Sequence, residues 1–311
     1  MVNFFRTGID LGGTKIESIV LDGQGGQVLR KRIPAPRGSY SDTLVAISDL
    51  VLEADSFAQE KTNVGLSMPG SLSKETNLVK NANSTWLIGK PLQSDLESLL
   101  KRPIRIENDA NCFTVSEAVD GAGKNTALVF GIILGTGVGG GLAINSRPHQ
   151  GINSIAGEWG HNPLPWTNQD ELMSNQCYCG KSGCIETFLS GPSLERSYSQ
   201  RTGGTLSVKE LVAASEAGDQ DANYILDKFE NNLAKGLAQV INILDPELII
   251  VGGGLSNIAR LYYNVPKYLD KFVFSDYITT KIVPAQYGDA SGVRGAAWLW
   301  NDEKCTQIPL R

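Results

Sequence analysis

Four short segments of the sequence carry residue types that could bind phosphate, accept a proton or hold a metal ion. Glycine turns let backbone N–H groups approach an anion, a carboxylate can accept a proton, and thiolates with an imidazole suit zinc. The segments are residues 10–15 (Asp-Leu-Gly-Gly-Thr-Lys), residues 108–111 (Asn-Asp-Ala-Asn), residues 135–137 (Gly-Thr-Gly), and His161 with Cys177, Cys179 and Cys184.

The first glycine turn lies between two predicted strands near the N-terminus. The backbone at Gly12 and Gly13 would approach a phosphate. The side chains of Thr14 and Lys15 would add hydrogen-bond donors, and Asp10 would hold Mg²⁺ directly or through water. Because no helix follows at once, the turn is neither a Walker A loop nor a dinucleotide fingerprint. An ordinary hairpin turn is the alternative, and a second glycine turn in the other half favours the phosphate site.

The second glycine turn begins with Gly135, Thr136 and Gly137, and residues 135–141 contain five glycines in seven positions. A plain hairpin needs one or two glycines, so the excess indicates close approach of the backbone to a ligand. A third run, residues 252–254, ends a predicted strand before a helix and suits nucleotide contact at a helix N-terminus. A simple strand-to-helix turn is the alternative for that run.

Asn108 and Asp109 follow a short predicted strand. Phosphoryl transfer to a hydroxyl needs a base that accepts the proton, and Asp109 could be that base while Asn108 orients the acceptor. The alternative is a helix N-cap, for which Asn and Asp are favoured residues.

The cysteine cluster, Cys177, Cys179 and Cys184, forms a Cys3His set with His161. This set suits a tetrahedral zinc ion, and four protein ligands make the site structural rather than catalytic. Buried or redox-active thiols are the alternative. A zinc ion held by this loop would also fix Glu158 and Glu186, whose carboxylates could bind sugar hydroxyls; each glutamate alone could be a solvated surface charge. Together, the segments predict an ATP-dependent kinase of a small hydroxylated molecule.

The composition is that of a globular protein. The chain has 311 residues, of which 41% are hydrophobic and 20% charged, with a formal net charge of -5. Without a basic run, nucleic acid and anionic membranes are not expected as partners. No signal peptide or transmembrane pattern occurs, so we expect a cytoplasmic protein without disulfides. Cys112 is expected to be a small buried hydrophobe and Cys305 an exposed tail residue.

The order of elements recurs along the chain and predicts two α/β domains. Each half has a strand, a glycine turn and a return strand, with helices and another strand later. The first domain is expected to comprise residues 1–118 plus about 291–311 and the second residues 119–290, with a cleft between them.

The motif order and spacing resemble those of ROK-family sugar kinases, within the actin-like ATPase (ribonuclease H-like) superfamily. Nearly the whole chain shares the resemblance, including residues 68–70 (Met-Pro-Gly), 157–161 (Gly-Glu-Trp-Gly-His) and 251–254 (Val-Gly-Gly-Gly). Residues 80–86, 157–166 and 291–298 are most similar to the bacterial fructokinase, or manno(fructo)kinase, branch. The family's repressors carry a helix-turn-helix domain before the kinase-like part, and because only nine residues precede Asp10 we do not expect one here.

The resemblance implies that Asp109 is the catalytic base and that Mg²⁺ and ATP phosphates meet Asp10, Gly12, Gly13, Thr14, Gly135 and Thr136. Gly253 and Gly254 would touch the nucleoside, and the sugar would lie among Asn83, Asn108, Glu158, His161 and Glu186, with Asn81 as the alternative to Asn83. The expected reaction is D-fructose to fructose 6-phosphate, with mannose or glucose as weaker substrates and a homodimer as the assembly. A glucokinase or N-acetylglucosamine kinase, and a catalytically silent sugar sensor, are the alternatives.

Overall fold

The computed structural model describes residues 4–301. Cys305 and the end of the predicted first domain, residues 302–311, lie outside the described residues. The described chain forms two compact units: unit 1 comprises residues 4–125, 141–156 and 289–301, and unit 2 comprises residues 126–140 and 157–288.

This division differs from the one expected from the sequence in two places. The first segment of unit 1 ends at Asn125 rather than at residue 118, because the loop after the helix at 109–119 stays bonded to it: Gly123 N donates to Glu117 O at 2.8 Å. In addition, residues 141–156 belong to unit 1. There, Leu142 N donates to Asn111 Oδ1 at 3.2 Å, a contact that no local pattern reveals.

The strands of unit 1 are β1 (Arg6–Leu11), β2 (Lys15–Leu21), β3 (Gln27–Pro34), β4 (Asn63–Met68), β5 (Ser71–Leu72), β6 (Val79–Lys80), β7 (Ile104–Asn108) and β10 (Arg147–Pro148), and its helices are α1 (Tyr40–Ala58), α2 (Leu92–Leu100), α3 (Asp109–Val119) and α10 (Ser291–Trp298). Five of these strands form one sheet with the order β3-β2-β1-β4-β7. β1 pairs antiparallel with β2 and parallel with β4, and β4 pairs parallel with β7.

Apolar faces on both sides of this sheet are buried by helices. Ile47 and Val51 of α1 and Leu92 and Leu96 of α2 pack with buried residues of β1 and β4 into one core. This is the expected result of helical spacing on α1 and α2, because each helix places its apolar stripe on one side. α2 begins directly after Pro91, as a proline at a helix start predicts.

α10 packs against β1, β4 and α3, and glycines at some of these contacts leave no room for a side chain. A Cβ at Gly65 of β4 would lie 1.8 Å from Ala296 O, and a Cβ at Gly295 would lie 1.7 Å from Cys112 O. The helix backbone therefore rests almost directly on the sheet and on α3. The buried thiol of Cys112 lies at this contact, as the sequence predicted for a small buried residue.

The elements of unit 2 are β8 (Leu128–Leu134), β9 (Val138–Ile144), which continues into unit 1 at residue 141, β11 (Leu248–Gly252), β12 (Lys281–Pro284), α4 (Gln169–Ser174), α5 (Glu186–Leu189), α6 (Gly191–Thr202), α7 (Val208–Glu216), α8 (Gln220–Leu244) and α9 (Leu261–Leu269). The second sheet has the order β10-β9-β8-β11-β12, in which β11 is parallel to both β8 and β12. This order repeats the arrangement of the first sheet.

The predicted fold class is confirmed, since both sheets are mixed, carry helices and share one strand order. α8 is a long amphipathic helix, and Asp219 caps it by accepting a hydrogen bond from Ala222 N. Among the described residues, no helix has the length and apolar character needed to cross a membrane.

The close packing of α10 makes a testable prediction at Gly65. Gly65→Ala should destabilise the protein by about 3 kcal/mol or more, because its Cβ would overlap backbone that cannot move aside. The matched control is Gly23→Ala, whose Cβ would have its nearest neighbour at 3.9 Å and should shift stability by less than about 0.5 kcal/mol. Urea unfolding would measure both variants, and equal midpoints for the two would contradict the packing argument.

Candidate active site

The carboxyl ends of three parallel strands meet at one edge of the unit 1 sheet. Asp10 of β1 lies opposite Ser67 of β4, and Ser67 lies opposite Glu107 of β7. Asp109 follows two residues after Glu107. Ligands of open α/β sheets bind outside the carboxyl ends of the strands, so this edge places two predicted site carboxylates, Asp10 and Asp109, at a suitable position.

Asp10 is held in a mostly buried position. Its Oδ1 accepts a hydrogen bond from Ser67 Oγ at 2.7 Å. Burial raises the pKa of the Asp10 carboxyl, while the hydrogen bond from Ser67 and the charge of Lys15 oppose that rise. A carboxylate that is shielded from water and has few protein partners favours binding of a cation. Asp10 therefore fits Mg²⁺.

The first glycine turn is a tight connection between β1 and β2. Gly12 N donates to Lys15 O at 3.0 Å, and Gly13 and Thr14 are exposed. The backbone of this turn is therefore that of a hairpin, which was the alternative interpretation. Its exposed residues, Gly13 and Thr14, leave their backbone N–H groups available to a phosphate. Its role in binding phosphate stays a prediction.

Asn108 is the N-cap of α3, as the alternative interpretation of this motif predicted. Its Oδ1 accepts hydrogen bonds from Ala110 N at 2.9 Å and from Asn111 N at 3.4 Å, and its Nδ2 donates to Gly70 O at 3.1 Å. Asp109 is the exposed first residue of the helix, where the helix dipole favours a negative charge. Capping and catalysis are compatible, because the cap fixes Asp109 at a helix start.

The loop that contains both candidate asparagines, Asn81 and Asn83, lies beside this cap. A Cβ at Gly70 would come within 2.8 Å of the Asn81 backbone, and a Cβ at Gly13 would lie 3.6 Å from Ser84 Oγ. Unit 1 thus brings the loop near the Asn108 cap and the first glycine turn. Both asparagines are exposed, so the choice between them stays open.

In unit 2, a cavity of about 760 Å³ joins the second and third glycine segments. Gly135 and Thr136 line one side and Gly254 another. Gly253 lies behind the lining with φ of +80°, and a Cβ there would lie 2.4 Å from Leu134 O. Gly253 therefore holds the third segment against the end of β8, while Gly254 faces the cavity.

The rest of this cavity was not predicted from the sequence. Its other walls come from the start of α6, from α7 and from the 3₁₀ helix Gly254–Asn257; the lining residues are Gly191, Pro192, Glu195, Val208, Lys209, Val212, Leu255, Asn257 and Ile258. Gly191 N donates to Gly135 O at 2.8 Å, which ties α6 to the second glycine turn. The Ser-Gly-Pro sequence at residues 190–192 is a helix-start signal that could have indicated α6.

The cysteine cluster and His161 converge in unit 2 as predicted. Their ligand atoms all lie within 4.8 Å of one another. Cys179 Sγ lies 3.6 Å from Cys184 Sγ, and Cys177 Sγ lies 3.6 Å from His161 Nδ1. Ligands about 2.3 Å from zinc in a tetrahedron are about 3.8 Å apart. The four side chains therefore fit a zinc ion.

The second nitrogen of His161 faces Tyr178, a residue that the sequence reading missed. His161 Nε2 lies 3.1 Å from Tyr178 Oη, and the two rings meet edge to face. Burial and the nearby carboxylates of Glu186 and Glu158 raise the pKa of Tyr178 to about 12. His161 therefore contacts this phenol directly, and two further predicted sugar-binding residues, Glu158 and Glu186, act on it through their charges.

Glu186 connects the cysteine cluster to the second glycine turn. Its Oε2 accepts a hydrogen bond from Val138 N at 3.0 Å, and its Oε1 lies 3.8 Å from Cys177 Sγ. A Cβ at Gly137 would lie 2.6 Å from Glu186 Oε2. Gly137 is therefore the residue that lets this carboxylate approach the turn, rather than a residue of the cavity lining.

Comparisons with known proteins identify the family of this chain. The model of the ROK family matches residues 6–303. The N-acetyl-D-glucosamine kinase of Pectobacterium atrosepticum is 41% identical over 296 residues, which cover 94% of this chain and 97% of that protein. The corresponding kinase of Salmonella paratyphi B is 40% identical over 297 residues, or 94% of this chain and 98% of that protein.

Solved structures of the same family have the same fold. The ROK hexokinase from Thermus thermophilus superposes with a TM-score of 0.83 at 26% identity, over 95% of this chain and 97% of that one. A ROK-family glucokinase from Streptomyces griseus, solved with glucose and AMPPNP, superposes with a TM-score of 0.74 at 27% identity, over 94% of this chain and 98% of that one. The fold is that of actin-like ATPases, as predicted, and the chain belongs to the ROK family.

Proposed function

We propose that this ROK-family sugar kinase transfers the γ-phosphoryl group of ATP to the 6-hydroxyl of N-acetyl-D-glucosamine. The observation that carries the proposal is the 41% identity to an N-acetyl-D-glucosamine kinase over 94% of this chain and 97% of that one. The relatives favour this activity, which was an alternative on the sequence, over the fructose specificity expected there. Fructose is therefore the competing substrate in the tests below.

Asp109 would accept the proton as the sugar hydroxyl attacks. The Asn108 cap fixes its backbone at the first turn of α3, and its Oδ1 accepts a hydrogen bond from Ala110 N at 2.9 Å. The bond formed joins the sugar oxygen to the γ-phosphorus, and the bond broken joins that phosphorus to the oxygen it shares with the β-phosphate. Such transfer depends mainly on positioning and charge stabilisation.

The phosphates would be bound by the two glycine turns. Exposed backbone N–H groups at Gly13 and Thr14 would meet them in unit 1, and the turn at Gly135 and Thr136 would meet them in unit 2. Asp10 would hold Mg²⁺, which supplies charge neutralisation when bound. The cavity beside Gly254 has room for the adenosine of ATP, and its Val208, Val212, Leu255 and Ile258 supply an apolar surface for the base.

A zinc ion would be held by His161 and the cysteine cluster, where it would act as a structural cross-link. Its effect on sugar binding would pass through His161 and Glu186, which its loop positions. Asn83, Asn108 and Glu158 are proposed to complete the sugar site. A homodimer stays a prediction, and a catalytically silent sensor would be excluded by measurable turnover.

The first prediction concerns the substrate and the base. With Mg-ATP, ADP release should be fastest with N-acetylglucosamine in a panel that includes glucose, mannose, fructose and N-acetylmannosamine. Asp109→Asn should lower kcat by about 10²–10⁴, because the general base is lost. The control Asp49→Asn, at an exposed carboxylate of α1, should leave kcat unchanged. Preferred turnover of fructose would overturn the proposed substrate but keep the kinase.

The second prediction concerns the metal. The purified protein should contain about one zinc ion per chain, as measured by elemental mass spectrometry. Cys179→Ser should reduce that content to near zero and lower both the thermal midpoint and N-acetylglucosamine turnover. Cys112→Ala, which changes a thiol outside the cluster, should keep the zinc. Full zinc content in Cys179→Ser would show that the cluster is not the metal site.

The third prediction concerns the nucleotide cavity. Val212→Trp should fill part of the cavity and raise the KM for ATP at least about tenfold, while the KM for the sugar stays within about twofold. Val45→Trp, on the exposed face of α1, is the control for adding the same side chain. An unchanged KM for ATP in Val212→Trp would place the nucleotide elsewhere.

A further inference from the structure

A second, smaller cavity lies within unit 1 beside Asn108 and has no part in the function described so far. Its volume is about 130 Å³, and its walls come from the segment after Gly70, from β7 and α3, and from residues 150–154. Asn108 itself is one wall. The cavity therefore adjoins the residue before the proposed base, at the edge of the sheet where the sugar is proposed to bind.

The lining of this cavity combines three kinds of group. Leu72 and Ile106 supply apolar surface, Ser71 and Ser73 supply hydroxyls that both donate and accept hydrogen bonds, and further polar side chains complete the wall. Its two charged lining residues have opposite signs, Lys74 and Glu107, so their charges cancel. A neutral substituent with one donor, one acceptor and a small apolar end matches this lining better than a phosphate or a carboxylate.

One wall is a chain of hydrogen bonds that ends at Asn108. Lys74 Nζ donates to Gln150 Oε1 at 2.6 Å, and Gln150 Nε2 donates to Glu107 Oε2 at 2.7 Å. The other oxygen of Glu107 accepts hydrogen bonds from Asn108 N at 2.8 Å and from Asn111 Nδ2 at 3.1 Å. Glu107 is buried, so these bonds fix the wall before a ligand arrives. Lys74 has three donors and uses one in this chain, so it can still donate to a ligand.

We propose that this cavity holds the acetamido group of the substrate and so determines the preference for N-acetylated hexoses. The inference rests on the proposed function, since it assumes that the sugar binds beside Asn108. An acetamido group has four heavy atoms, and the cavity of about 130 Å³ is several times the roughly 10–15 Å³ of comparable space that one water needs, so it has room for the group. A hexose with a plain hydroxyl at that carbon would leave most of the cavity to water.

Each part of the acetamido group has a partner of the right type. The carbonyl oxygen can accept from Lys74 Nζ or a serine hydroxyl, and the amide N–H can donate to a serine oxygen or to Glu107. The methyl group meets Leu72 and Ile106. A site whose buried polar groups are satisfied by a ligand rejects an analogue that lacks those groups, which is the basis of discrimination against glucose.

The test measures kcat/KM for glucosamine derivatives with N-acetyl, N-propanoyl and N-butanoyl groups, together with glucose, in two variants that change cavity size. Ser73→Leu should fill the cavity and lower kcat/KM for N-acetylglucosamine at least about tenfold, with glucose changed less than about twofold. Leu72→Ala should enlarge it and move the best acyl chain from acetyl to propanoyl or butanoyl. A rise in kcat/KM for a sugar with a longer acyl chain cannot result from misfolding of the variant.

Calorimetric binding of N-acetylglucosamine and glucose to the wild type and both variants separates this inference from the proposed function. If the wild type binds the N-acetyl sugar more tightly than glucose and Ser73→Leu removes that preference, the cavity assignment holds even when turnover is absent and the proposed function fails. Suppose that N-acetylglucosamine is phosphorylated, but both variants change kcat/KM for it and for glucose by the same factor, or neither variant changes the preferred acyl chain. The cavity assignment is then overturned, while the proposed kinase activity stands. Absence of any N-acetyl preference in binding also overturns it.

Discussion

The contact of α10 with the unit 1 sheet is the constraint on which the candidate site depends. Gly65 and Gly295 allow backbone to meet backbone there, because a Cβ at either position would lie under 2 Å from a carbonyl oxygen. The contact fixes β1 and β4 against α3. Asp10 belongs to β1 and Asp109 begins α3, so the spacing of the two carboxylates depends on this packing. Asp10 itself lies against α10, where a Cβ at Gly292 would be 3.6 Å from its Oδ1.

Polar groups at the strand ends are positioned by partly buried hydrogen bonds. In unit 1, Ser67 orients Asp10, and Glu107 holds the Asn108 backbone. In unit 2, Glu186 spans from the cysteine cluster to the second glycine turn. A buried carboxylate without such partners would be costly, so each one both needs and positions its neighbours. The same physics thus stabilises the site and defines its geometry.

Local signals in the sequence predicted much of this molecule. Strand alternation, glycine turns, the proline at α2 and the Asn108 cap depend on neighbours in the chain, and the Cys3His set was recognisable because its ligands have a characteristic spacing. The assignment of residues 141–156 to unit 1, the α6 and α7 walls of the large cavity, and the role of Tyr178 depend on contacts between distant segments. No periodicity encodes those contacts. The sugar was the weakest inference, because small differences in a pocket, rather than motifs, separate one hexose from another.

The discontinuity of unit 1 has a consequence for biosynthesis. Residues 126–140 and 157–288 of unit 2 are made before α10, whereas the unit 1 sheet must wait for residues 291–298 to cover it. Until then, Ile19 and Leu21 of β2 and Val115 of α3 lack the buried side chains of α10 with which they form one cluster, and a state with such exposed apolar surface is prone to aggregation during synthesis. The packing of β1 against α10, which lies near the other end of the chain, also raises the mean sequence separation of contacting residues. A higher contact order of this kind slows folding. Production of this protein at low temperature or with a chaperone in excess is therefore expected to increase the soluble yield.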